Sequence, residues 1–341
     1  MYRFIFTVTS FFLPLLVQSH HSRAPFMLDD TFETKGIVTE VAWQSPHVYL
    51  VVDTITESGA KETWTFEGHS IAGLVGNGWE KNSIKVDDEV IMVANPNRNP
   101  EKKFGLIDSV TRPDGATFYS FRVPSDSANN RPNRAPSEPS TDFSGTWSRV
   151  STLQQALVGG FGITDWPVTA KGQAQLARYN LRNDPQLDCV PVGIPALIFY
   201  PYSTKWIREN DKILWKKDQY PIDRTIHLGG PPRPSSHKPD ALGYSIGKFE
   251  PDGTLVVETT GFAPTAWGAT RGLDSSEQKR VTERYRLTED GFGMQVSYTI
   301  EDPVYLAEPA TQEGSYRKVL DHEFSNVPCD PETARRHLKF E

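Results

Sequence analysis

After residue 32 the hydrophobic and polar positions alternate with a period of two along most of the chain, the spacing of strands that bury one face. The run Thr34 to Trp43 places Ile37 and Val41 near one face and Val38 and Ala42 near the other, with β-branched residues throughout. His47 to Asp53 predicts a second strand, Glu57-Ser58-Gly59 a turn, and Glu62 to Glu67 a third strand. A short helix or turn is expected from Ser70 to Gly76, a fourth strand from Glu89 to Ala94 and a fifth from Phe104 to Val110. Five strands with one helix between the third and fourth suit a small, partly open barrel of the oligonucleotide/oligosaccharide-binding kind over residues 20–123. The name of that fold confers no nucleic-acid function.

Residues 124–141 hold four prolines between 124 and 140 and no large apolar side chain, so they read as a linker. Beyond it, Thr169 to Tyr179 is the one amphipathic helical stretch, and Asn183-Asp184-Pro185 ends it. Strands are expected at 197–207, 213–219, 224–228, 243–249, 254–260, 280–288, 293–300 and 317–323. Tight turns are spelled by Pro251-Asp252-Gly253 and Glu289-Asp290-Gly291. The simplest way for such an antiparallel meander to lose its edges is closure, so 142–341 is expected to form a larger, lipocalin-like barrel. The whole chain is then mainly β.

The first nineteen residues change the picture of where the protein works. One cation, Arg3, precedes an apolar run from Phe4 to Val17, and Val17-Gln18-Ser19 supplies modest residues for a signal peptidase. The run is shorter than the roughly 18 apolar residues a membrane helix needs. The expectation is a secretory signal at 1–19, cleavage after Ser19, a periplasmic or secreted mature chain, and no transmembrane segment in it. Cys189 and Cys329 are the only cysteines, and in an oxidising compartment such a pair is expected to be bridged. The net charge of −7 and the scatter of the 36 lysines and arginines argue against nucleic acid as a partner, which would demand a clustered positive face.

Cleavage after Ser19 would leave His20 first. Its α-amine and imidazole would chelate one copper ion, with His47 as third nitrogen donor and His21 or His69 in reserve, a tetragonal nitrogen set that copper(II) accepts. The competing reading is a frayed terminus whose histidines do nothing. Gly243-Tyr244-Ser245-Ile246-Gly247 spells Gly-x-Ser-x-Gly, but strands flank it on both sides, and the nucleophile motif works on a strand-to-helix turn. If the second barrel lines a small-molecule site, the aromatic and ionisable candidates are Tyr202, Trp206, His227, Tyr244, Glu283 and Tyr298, with Tyr200 and Tyr285 beside them.

Two resemblances add to this. His20-His21-Ser22, Gly36 to Trp43 with Pro46-His47, Gly78-Trp79 and Asp87-Asp88-Glu89-Val90 resemble a bacterial secreted family of unknown function, a likeness that covers residues 20–118 and implies a fold and export without an activity. Cys189-Val190-Pro191-Val192-Gly193-Ile194-Pro195, Ser245-Ile246-Gly247, Thr254 to Phe262 and Glu283-Arg284 are similar to poorly characterised exported lipocalin-like β domains. Tyr244 stands where those usually carry histidine, and Phe249 where they carry tryptophan. Three functions stay open: an exported protein binding a small apolar or amphipathic ligand, with copper at its N-terminal histidines; a lipocalin-like isomerase, cyclase or hydratase using one buried acid; and an envelope scaffold whose protein partners are unknown.

Overall fold

The computed structural model describes residues 25–55, 59–121, 138–150, 166–200, 202–218, 221–230, 232–319, 321, 324 and 327–340. The expected cleavage site, His20, His21 and most of the 124–141 linker lie outside the described residues.

Strands β1 (Phe32–Ala42), β2 (Tyr49–Ile55), β3 (Lys61–Glu67), β4 (Glu89–Pro96), β5 (Phe104–Thr111) and β6 (Thr117–Tyr119) form one sheet in the order β3-β2-β1-β4-β5-β6. Parallel pairing of Thr65, Phe66 and Glu67 with Phe104, Gly105 and Leu106 joins β3 to β5 and closes a five-stranded barrel. Helix α1 (Ile71–Gly76) sits between β3 and β4, as the sequence predicts, and Ser70 caps it by accepting from the Gly73 N–H. The register slips by one residue between Val38 and Glu40, a bulge of the kind that lets a long strand bend around a small barrel. Val38, Leu50, Val52, Phe66, Leu74, Met92 and Val110 are fully buried and make the core.

The second barrel has nine strands: β7 (Gly145–Val150), β8 (Thr204–Arg208), β9 (Lys212–Asp218), β10 (Pro221–Leu228), β11 (Tyr244–Phe249), β12 (Leu255–Thr260), β15 (Arg280–Leu287), β16 (Gly293–Glu301) and β17 (Ala310–Val319), with β17 pairing back to β7. A hairpin, β13 (Thr265–Thr270) and β14 (Leu273–Ser275), stands outside the ring, and helix α2 (Ala170–Leu176) precedes β8. Neighbours are antiparallel except β10 and β11, because residues 229–243 cross from one end of the barrel to the other before β11 begins. Burial alternates cleanly on β15 and β16, and the ring is filled by large side chains, with Trp147, Trp206, Trp215 and Tyr285 each at most 1% exposed.

Two expected strands are corrected. The run expected as a strand at 197–207 is a 3-10 turn at Ala196–Phe199, and β8 starts at Thr204. Leu197, Ile198 and Phe199 are consecutive and all buried at the barrel end, so they carry no alternation for a sheet to use. The strand expected at 317–323 begins seven residues earlier, at Ala310. Its first half, Ala-Thr-Gln-Glu-Gly-Ser, is mostly polar, and the ladder to β16 holds it where hydrophobic pattern does not.

The C-terminal segment belongs to neither ring. Cys329 is bonded to Cys189 across 140 residues of sequence and also bridges Ser45 of the first barrel. Asp330 caps α3 (Pro331–Arg335) by accepting from the Thr333 N–H. Arg335 then pairs with Asp188 at 2.6 Å on the second-barrel side, while Arg336 pairs with Glu40 at 2.6 Å and lies over the Tyr49 ring on the first. Phe340 stacks on Phe104 with ring centroids 4.4 Å apart. This strap contacts both barrels. Among the described residues no helix is long and apolar enough to cross a membrane.

Candidate functional site

One end of the nine-stranded ring brings polar side chains together against a stopper made by the chain itself. Residues 196–200 enter that mouth, with Leu197, Ile198 and Phe199 each 1% exposed. The Phe199 ring packs on Tyr298 at 5.5 Å. It reaches β17 at Gly314, where any Cβ would lie 2.6 Å from the ring, so glycine is required for the stopper to seat.

The carbonyls of the stopper are held by side chains from the barrel wall. Tyr316 donates to Ile198 O, Arg149 Nη1 to Phe199 O at 3.0 Å, and Lys217 Nζ to Tyr200 O at 3.1 Å. Lys279 Nζ anchors the approach by donating to Ile194 O at 2.7 Å. Register explains why these donors converge: Arg149 faces Tyr316 across β7 and β17, Gln312 faces Tyr298 across β17 and β16, and Tyr298 faces Glu283 across β16 and β15. Lys217 lies in phase with Ile213 and Trp215 on β9 and therefore points inward with them.

Burial governs the acid–base chemistry here. It pushes the Lys217 ammonium down to about 7, and the neighbouring Arg149 charge adds to that while Asp218 opposes it. Lys279 is likewise lowered by burial to about 7, with Asp302 opposing. Burial raises the Tyr298 and Tyr316 hydroxyls, and Arg149 partly offsets this. Between Phe199, Tyr200, Trp267, Tyr298 and Gln312 a cavity of about 10 Å³ remains, room for one water at most.

Elsewhere in the same interior, Glu283 is ringed by donors. Arg224 gives it two bonds, 2.8 Å to Oε2 and 2.6 Å to Oε1; the Tyr285 hydroxyl donates to Oε2 at 2.6 Å and Thr259 to Oε1 at 3.3 Å. Arg224 Nε also donates to Ser245 Oγ at 2.9 Å. Burial pulls the Arg224 guanidinium downward, but the adjacent Glu283 outweighs it and raises the pKa. Burial first, then the Glu283 charge, holds the Tyr285 hydroxyl far above its usual range. Ser245 lies within β11 and is wholly buried, placed as a hydrogen-bond partner rather than on a nucleophile turn.

Of the residues singled out in the sequence, Trp206, Glu283 and Tyr298 share this interior. Trp206 meets the Tyr285 ring edge-on at 4.7 Å, and Tyr285 reaches Glu283. Tyr202 is buried just after the stopper. His227 and Tyr244 instead stack on each other at 4.7 Å, out of phase with the inward Ile226 and Ser245, and His237 meets Tyr244 edge-on. His47 Nδ1 lies 3.1 Å from Gly68 O and 3.5 Å from Glu67 Oε1. Among the described residues no group of three or more His, Cys, Asp or Glu is placed to hold a metal. The sequence reading overlooked Arg149, Lys217, Arg224, Tyr316 and Lys279. The available signal was charge in phase with apolar neighbours: Lys217 with Ile213 and Trp215, Arg224 with Ile222 and Ile226.

A second concavity, about 620 Å³ and open to solvent, runs past Arg233, Phe262 and Arg280. Its arginines are exposed, and it lacks the convergence of buried donors found at the mouth.

Residues 13–106 match a family of unknown function (DUF6152), which takes in β1 to β4 and the start of β5. That portion of the chain is similar to that family. No curated protein matches the chain.

Proposed function

We propose that this is an exported two-barrel binding protein that takes a small organic ligand at the mouth of its nine-stranded barrel. The observation that carries the reading is Lys217, a lysine 3% exposed, which among the described residues forms no ion pair and donates to a single backbone carbonyl. Keeping an ammonium out of water is costly unless something repays it, and binding sites are where such groups gather. Arg149, Tyr316, Tyr298 and Gln312 share the same wall, giving a few polar groups in an apolar surround, the ordinary makeup of a small-molecule site. Export is supported by the leader-like first nineteen residues and by the Cys189–Cys329 bridge.

Binding is favoured over acid catalysis because both oxygens of Glu283 are already engaged by Arg224, Tyr285 and Thr259. A general acid or base needs a proton within reach of substrate, and this carboxylate is surrounded by its own donors.

The test is a thermal-shift screen of the full chain against amphipathic organic molecules, followed by hydrogen exchange with any binder. The reading expects altered exchange in β16, β17 and residues 196–200. No binder, or changes confined to the groove at Arg233 and Arg280, contradicts it.

A further inference from the structure

We infer that residues 196–200 are a displaceable plug, and that the ligand which takes their place presents a carboxylate to Lys217, Arg149 and the Tyr316 hydroxyl. This rests on the mouth being the ligand site, and adds the head group and the element that moves.

The plug is built like an amphiphile. Its apolar part, Leu197, Ile198 and Phe199, fills the barrel end, and its carbonyl oxygens face three donors of the wall. The Tyr200 carbonyl offers only a partial charge to Lys217. A carboxylate offers a full one and two oxygens, so it can take a charge-assisted bond from each of two cations at once. The Arg149 and Lys217 charges also repel each other, and one anion between them relieves that. The same interior shows what a permanently matched cation looks like, since Arg224 has Glu283 at 2.6 Å. Among the described residues, Lys217 has no such partner.

The plug can leave without unravelling the barrel. Among the described residues its backbone N–H groups bond within turns, Leu197 N–H to Gly193 O and Ile198 N–H to Pro195 O, rather than as rungs of the sheet. Ile194 stays fixed, its N–H given to Ala241 O and its carbonyl taken by Lys279, while β8 secures the other end from Thr204. Residues 196–200 swing out together, and the space that Leu197, Ile198 and Phe199 vacate receives the ligand's apolar body.

The experiment uses the full chain, with octanoate and octan-1-ol as probes of equal chain length. Affinity is read by tryptophan fluorescence, and the position of binding by hydrogen exchange. We expect octanoate to bind at least about tenfold more tightly than octan-1-ol, with faster exchange at 196–200. Lys217→Met should erase that preference and Lys217→Arg should keep most of it. The methionine variant removes a desolvated charge from an apolar setting, so it folds, and an unchanged far-ultraviolet spectrum verifies this. Equal affinities with exchange changes at the mouth overturn the carboxylate and leave the binding reading standing, as does octanoate binding that leaves exchange at 196–200 unaltered for the plug. Binding of neither probe, or exchange changes only elsewhere, overturns both.

Discussion

Arg224 and Glu283 face each other inside the nine-stranded barrel through two hydrogen bonds of 2.8 and 2.6 Å, with neither side chain more than 1% exposed. A buried pair of this kind contributes little net stability against a well-packed apolar replacement, yet breaking it strands a charge. Glu283→Leu or Arg224→Met alone is therefore expected to cost about 3–5 kcal/mol. The double replacement Arg224→Met with Glu283→Leu should cost clearly less than the sum of the single changes. Urea unfolding of the four proteins measures the coupling; additive losses would show that the pair does not act as a unit.

The bridge from Cys189 to Cys329 closes a loop of 140 residues. Chain entropy values such a loop at about 4–5 kcal/mol, so Cys189→Ser with Cys329→Ser should lower stability by an amount of that order. The same bridge fixes the strap whose Arg336 and Phe340 rest on the first barrel. Faster hydrogen exchange across 327–340 in the double variant is the expected companion result. Protection equal to the parent protein would mean that the strap holds by its side-chain contacts alone.

The two buried lysines give stability a definite slope with pH. Lys217 and Lys279 have pKa values near 7 in the folded protein against an ordinary 10.5, so between those values the unfolded chain binds more protons than the folded one. Stability then rises with pH from about 7 toward 10, and what is gained is lost again as pH falls back toward 7. Above about 10 the buried Tyr285, Tyr298 and Tyr316 keep protons that an unfolded chain would release, and the curve turns down. Urea midpoints at a series of pH values check this, and in Lys217→Met the rise between 7 and 10 should be shallower.

Two tryptophans of similar burial should respond differently to loss of the indole. Trp147 Nε1 donates to Phe143 O at 2.9 Å, whereas Trp206 Nε1 is buried with no acceptor among the described residues. Trp147→Phe forfeits a hydrogen bond and leaves a carbonyl short, so it should cost about 0.5–1.5 kcal/mol more than Trp206→Phe. Equal losses in chemical unfolding would contradict that assignment of the two N–H groups.

Much of the architecture was legible because strands with one buried face write themselves as alternation. Thr34 to Trp43 and Arg280 to Ile300 are clear examples, and Pro251-Asp252-Gly253 marks its turn by residue type. Leu197-Ile198-Phe199 misled because a fully buried plug and a fully buried strand have the same composition, and only the fold decides between them. Ala310 to Ser315 was hidden for the opposite reason: a polar run becomes a strand through its ladder with β16, and β7 pairs only from Ser315 onward. At the site, Glu283, Tyr298 and Trp206 stood out as ionisable or aromatic, but Lys217 and Arg149 look like surface cations until their phase with Trp215 and Trp147 is followed around a closed ring. No local pattern says that Arg336 will lie against Tyr49, since the two residues stand far apart in the sequence and meet only in the folded chain.

The most direct test of a ligand-holding mouth is mass spectrometry of the small molecules released by denaturing protein purified from its native source, compared with Lys217→Met purified in the same way. The account predicts one dominant organic species near stoichiometric amount in the parent protein and its loss from the variant. An empty parent protein, or the same species carried equally by Lys217→Met, would contradict it.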